Sequence, residues 1–241
     1  MTRYPLAAAL IALALPMAAP AQGIPALEAK LAAYRTRVAL LQDQDAIENL
    51  QAAYGYYFDK ALWGEVADLF TADGRFEYGQ RGIYVGNAHI RRALLLFGAE
   101  GPQPGTLNNH MQLQPVIDVA PDGKTAKARW RGMVQLARPN AAGQWGEGVY
   151  ENAYRKENGV WKIASLHFYV TGFTDYDVGW TKSAIPTEGP SALLPPDRPP
   201  SEIYRSFPGV YIPPFHYPHP VTGKPIDTGP PPADSIVRPK P

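Results

Sequence analysis

Asp59 follows Phe58 and stands four residues before Trp63, in a run that reads as an apolar helix. A carboxylate in such a place pairs, caps a loop or carries a shifted pKa, because burying an unpaired charge is costly. Tyr78 falls on a short strand-like segment. There a phenol either fills a half-buried strand or donates a hydrogen bond to developing oxyanion charge without ionising. Imidazoles titrate near pH 6.5, at about the value that proton abstraction at neutral pH needs, and the chain has five histidines. His167, near Tyr169 on the last strand-like segment, is read as structural rather than as a second acid or base. Arg131 either points inward, to hold a phenolate, carboxylate or leaving group, or joins Lys127 and Arg129 on a solvated face. Asn152 and Tyr150 can line an interior from the next strand. Tyr54, Tyr57, Phe58, Trp63, Tyr78 and Trp130 make that interior suit an apolar, aromatic molecule of moderate size.

Other chemistries lack their residues. There is no cysteine, hence no disulfide, thiolate metal site or cysteine nucleophile. His216 and His219 have loose ligand spacing without an acidic third ligand nearby, so no metal site is expected. No Gly-rich phosphate loop, serine nucleophile elbow or zinc-protease helix is present. Lys plus Arg is 23 against 22 for Asp plus Glu, a net charge of +1. That balance carries no electrostatic footprint for nucleic acid or a membrane surface.

The elements that must position these groups fill 241 residues, 45% of them hydrophobic, enough for one domain with additions. Residues 1–21 have a positive start at Arg3, an apolar run from Leu6 to Leu15 and Ala19-Pro20-Ala21, the outline of a cleaved secretory signal peptide. A run of ten falls short of the roughly 20 residues that span a membrane. The mature chain is therefore expected in a periplasm or secreted, with no membrane attachment. Leu27, Leu31, Tyr34, Val38 and Leu41 place a helix over Ala26 to Leu41, in an extension of residues 22–44. Asp43 or Asp45 caps a second helix, Ala46 to Leu62, and a third runs from Gly64 to Phe70, ended by Asp73-Gly74. Strands follow at 75–78 and 82–85, and Asn87 caps a helix through Phe97. Long strands then read at 111–119, 125–136, 147–155 and 161–173, with Asn158-Gly159 as a hairpin turn. Helices first and an antiparallel meander after them make an α+β domain over 45–176. A Pro-rich extension takes up residues 177–241, and from Thr181 the pattern dissolves; 17 of the 26 prolines lie in the last 61 residues. Tyr204, Phe207, Tyr211, Phe215 and Tyr217 are too apolar for a solvated tail, so this part reads as an extended strap packed on the domain or on a neighbouring subunit, its aromatics covering the mouth of the interior. The end of the chain, from about Gly229, reads as disordered.

The stretch Asp45 to Val170 resembles the SnoaL-like branch of the nuclear transport factor 2 (NTF2) superfamily. The carrying residues are Ala46-Ile47-Glu48-Asn49-Leu50 with Tyr54 and Asp59, Leu69-Phe70-Thr71-Ala72-Asp73-Gly74, Tyr84-Val85-Gly86-Asn87 with Ile90, Asn109-His110-Met111, and the closing hairpin Tyr154 to Ile163. The resemblance implies a cone: a curved antiparallel sheet wrapped around helices, with a pocket at its open end. It also implies roles. In members similar to scytalone dehydratase and hexachlorocyclohexane dehydrochlorinase an aspartate pairs with a pocket histidine, and Asp59 and His110 stand at those positions. Asp59 would then hold the imidazole tautomer while His110 takes a proton from substrate. Tyr78 matches a tyrosine that activates water or a carbonyl. Phe58 replaces the dehydratase's tyrosine, and its second histidine has no counterpart among Arg131, Gly132 and Met133. The single Asp/His pair is thus closer to the dehydrochlorinase arrangement. The expected activity is a cofactor-independent elimination, releasing water, formaldehyde or a similar small group from an apolar, lignin-dimer-like aromatic. A non-catalytic ligand-binding protein and an isomerase using the same base are the alternatives. A homo-oligomer, trimer or dimer, is implied by the family.

Overall fold

The computed structural model describes residues 23–230, so the expected leader and the end of the chain beyond residue 230 lie outside the described residues. Two compact units form, one ending at Ala39 and one beginning at Leu40. In the first, Ile24, Leu27, Leu31, Tyr34 and Val38 lie exposed along a helix.

That helix, α1, runs unbroken over Ile24–Asp59, where the sequence predicts two. Residues 42–45 contain neither Gly nor Pro to stop it. The carboxylate of Asp43, expected as a cap, instead accepts hydrogen bonds from Lys156 Nζ and, at 2.9 Å, from Trp161 Nε1. Helix α2 follows at Trp63–Asp68, then strand β1 at Phe70–Tyr78. Asp73-Gly74 therefore lies inside a strand, at a register irregularity, rather than at a helix end. Strand β2 is Ile83–Val85, and α3, Asn87–Leu94, tightens into a 3-10 turn at Leu95–Phe97. Asn87 does not cap α3; Gly86 holds that position, and the Asn87 amide donates to Ala67 O at 2.8 Å, tying α3 to α2.

The long strands are β3 (Leu107–Val119), β4 (Thr125–Ala137), β5 (Gln144–Glu157) and β6 (Val160–Asp175). The sheet order is β2-β1-β6-β5-β4-β3, with β1 and β6 parallel and the other pairs antiparallel. Asn158 and Gly159 both take positive φ, 51° and 82°, the mirror-image turn whose twist matches the β5–β6 hairpin. The sheet curves without closing, and its concave face holds the core. Ala126, Ala128, Trp130 and Val134 face inward from β4, against Tyr54 and Phe58 of α1 and Tyr150 and Phe168 of the neighbouring strands.

Among the described glycines the closest approach to a backbone atom is at Gly148, where a Cβ would sit 2.5 Å from the carbonyl oxygen of Tyr169 and 2.3 Å from Phe168 Cζ. Neither atom can yield without moving β6. Gly148→Ala should lower unfolding stability by about 1–3 kcal/mol through overpacking, read as a fall in urea midpoint at unchanged slope.

The strap packs on its own domain. Ser201 donates through its backbone N–H and its Oγ to Glu77, at 2.7 and 2.8 Å. Phe207 N donates to Thr171 O, and the Arg129 guanidinium lies 3.8 Å over the Phe215 ring. These partners project from the convex side of the sheet. Tyr204, Tyr211 and Phe215 thus cover the outer face and do not cover the mouth as expected: alternation on β6 turns Tyr169 outward, where it stacks on Tyr211 and meets Tyr204 at a tilt, and Phe215 lies under Arg129. Among the described residues of the strap, 185–188 reach the open end, where Ile185 N donates to Phe173 O at 2.9 Å.

Candidate active site

Asp59 is the last residue of α1, and His110 lies within β3, which begins four residues earlier than the sequence suggests. β3 is an edge strand, so the amide of His110 is free of the ladder. Asp59 Oδ1 accepts it at 2.7 Å. This bond brings together two residues 51 positions apart. It also differs from the expected contact: His110 Nδ1 stands 3.8 Å from Asp59 Oδ1, beyond hydrogen-bond distance, and is buried with no partner among the described residues.

The His110 ring is 3% exposed, its centroid 4.4 Å from that of Phe58. Burial drops its pKa to about 3, so the imidazole is neutral. Burial raises the Asp59 carboxyl, against the opposing pull of the His110 amide and of Lys60. Tyr78 ends β1 with its ring between Phe97 and Phe168, each centroid 4.8 Å away. Burial keeps its phenol protonated well beyond the ordinary range.

Two cavities open here. One, of about 360 Å³, is lined by Tyr78 and His110, with Leu136, Val170 and Phe173 among its apolar walls. The other, of about 220 Å³, is lined by Asp59 and Lys60. Phe97, Asn108 and Arg138 line both and so form the partition. The larger volume suits a small organic molecule.

The remaining expected contacts fall elsewhere. Tyr54, Phe58 and Trp63 are wholly buried core and line neither cavity; the Trp63 indole donates to Gly98 O at 3.0 Å. Trp130 and Asn152 belong to a buried polar chain. Trp130 Nε1 donates to Tyr154 OH, and Tyr154 OH and Asn152 Nδ2 both donate to Gln51 Oε1. Gln51 Nε2 donates to Gln112 Oε1, and Gln112 Nε2 to His110 O. These side chains brace the His110 backbone rather than meet a ligand. Arg131 lies on the convex face, its side chain 52% exposed, bonded to Glu147 at 2.6 Å and Gln114 at 2.9 Å. Period-two alternation sends it out because its neighbour Trp130 points in. His167 is also outward, beneath the strap, stacked on Tyr169 and 3.5 Å from Glu77.

Sequence reading missed Asn108, Phe97, Arg138, Gln51 and Gln112. Gln51 left a signal, a polar residue in phase with Ile47, Tyr54 and Phe58. Phe97, Asn108 and Arg138 left none, since they flank loops at the open end where periodicity stops. Among the described residues no group of three or more His, Asp or Glu side chains converges on a metal position.

The two buried histidines predict acid sensitivity. Each imidazole takes its proton near 6.5 when unfolded and at about 3 when folded. Their contribution is complete above pH 6.5 and is lost as pH falls toward 3, because only the unfolded chain binds the protons. Stability should fall there by up to two protons' worth, about 2.7 kcal/mol per pH unit. Urea titrations across that range check it, and His110→Gln should remove one proton from the slope.

A family model of the SnoaL-like domain matches residues 39–167. No curated protein matches the chain. Among solved structures, one from Novosphingobium aromaticivorans described as a "Putative Scytalone Dehydratase" shares 21% identity over 65% of this chain and 97% of its own, with a TM-score of 0.52. LinA shares 16% over 58% and 93%, and a type 2 hexachlorocyclohexane dehydrochlorinase (LinA) 19% over 58% and 92%, both with a TM-score of 0.50. At these identities the likeness is one of fold.

Proposed function

We propose that this chain, which belongs to the SnoaL-like domain family, is a cofactor-independent lyase that removes a proton with His110 and expels a small leaving group from an apolar aromatic molecule. The observation that carries this reading is a neutral imidazole and an un-ionised phenol lining one apolar-walled cavity. His110 takes the proton from a carbon beside the leaving group. The C–H electron pair becomes the new double bond, and the leaving group departs with its own bonding pair, accepting a hydrogen bond or proton from Tyr78. The imidazolium so formed has Asp59 as its nearest carboxylate. Turning that carboxylate from the His110 amide to Nδ1 closes a gap of 3.8 Å; contacts of this kind commonly tighten only once substrate is bound. An isomerase would use the same base to return the proton to a different carbon.

One observation favours a second reading, a non-catalytic binding protein: an imidazole with pKa about 3 is a weak base. The two separate on a panel of hydroxylated and halogenated aryl compounds followed by chromatography. A lyase converts at least one to an alkene with release of water or halide. A binder takes them up and returns them unchanged.

A further inference from the structure

Arg138, the residue after β4, lines both cavities of the candidate site. Its Nη2 donates to the carbonyl of Phe97 at 2.7 Å, which fixes the guanidinium at the partition. No carboxylate lies within ion-pair distance of it among the described residues. The other charges at the two cavities have opposite neighbours. Arg81 is paired with Glu188 at 2.6 Å, and Lys60 stands close enough to Asp59 to lower its pKa. Arg138 is therefore the uncompensated positive charge. A guanidinium has five N–H donors in a fixed fork that matches a carboxylate, and the bond to Phe97 occupies one nitrogen.

We propose that Arg138 is the specificity residue of this site and receives the carboxylate of an aryl carboxylate. The apolar wall of Phe97, Leu136 and Phe173 takes the ring. The acid group stays at the exposed end, where desolvation costs least, and the reacting carbon points inward to the buried His110. Its place in turnover rests on the lyase reading; the recognition itself does not.

Binding therefore tests it apart from catalysis. The full chain is titrated calorimetrically with trans-cinnamate and with cinnamamide, its neutral near-isostere. Cinnamate should bind about tenfold more tightly, the difference one charged hydrogen-bonding pair supplies, and added salt should weaken cinnamate alone. Arg138→Gln should bring the two ligands to equal affinity, while Arg138→Lys, which keeps the charge and loses the fork, recovers part of the preference. Equal binding of both ligands to the wild type, binding of neither, or a preference that survives in Arg138→Gln overturns the proposal. The same preference in His110→Gln supports the recognition with either reading of the activity; in a wild type without turnover it supports the recognition while the lyase reading fails.

Discussion

His110→Gln abolishes turnover and leaves ligand affinity within a few-fold of the wild type. Glutamine keeps the side chain polar and of similar reach but has no basic nitrogen, so it cannot take the proton. The backbone of residue 110 stays where Asp59 and Gln112 hold it, since both bond the main chain at this position. General-base assistance of this kind is worth about 10²–10⁴ in rate. Asp59→Asn should cost less: its amide oxygen still accepts from the His110 N–H, but the negative charge near the forming imidazolium is gone. The expected order of kcat is wild type, then Asp59→Asn, then His110→Gln, with near-identical circular dichroism. Turnover by His110→Gln at the wild-type rate would remove the base from the scheme. An Asp59→Asn enzyme slower than His110→Gln would place the base at Asp59 instead.

Tyr204→Ala should be the most destabilising single change in the strap. The side chain is 2% exposed, and its ring stacks on Tyr211 with centroids 4.6 Å apart. Its hydroxyl accepts the N–H of Val170 at 2.8 Å, beside the register irregularity between β5 and β6. Its carbonyl accepts Gln80 Nε2 at 2.6 Å. Removing a buried aromatic costs about 3–5 kcal/mol, and the Val170 amide loses its partner as well. Tyr204→Phe isolates that second part and should cost about 1–3 kcal/mol. Equilibrium urea unfolding of the full chain measures both. Midpoints equal to the wild type would mean that the strap contributes nothing to the fold. Because Val170 also lines the larger cavity, Tyr204→Phe should loosen ligand binding too.

The order of elements was legible in the sequence because hydrophobic period changes from helical to alternating near residue 75. The hairpin at Asn158-Gly159 was legible because few other residues tolerate two successive positive φ angles. Helix breaks were misplaced where the signal was a residue with two uses. Asp43 and Asn87 are good caps in isolation, but each found a tertiary partner, Lys156 with Trp161 and the Ala67 carbonyl respectively.

The candidate site divides in the same way. Residue type and family position were enough to single out Asp59, His110 and Tyr78, and the structure brings all three to the open end of the sheet. Periodicity alone was enough to put Trp130 inside. It could not say whether that inside is filled or hollow. Inward side chains near the middle of β4, in the last turns of α1 and at the start of α2 meet others in the core, so Tyr54, Phe58, Trp63 and Trp130 are filled in rather than left lining a hollow. Among the described residues, the two hollows of the candidate site lie where opposing elements diverge, beside residues at or near strand ends: Tyr78, Asn108, His110 and Arg138. That divergence is a property of sheet curvature and of how far each strand extends, quantities summed over the whole chain and written at no single position.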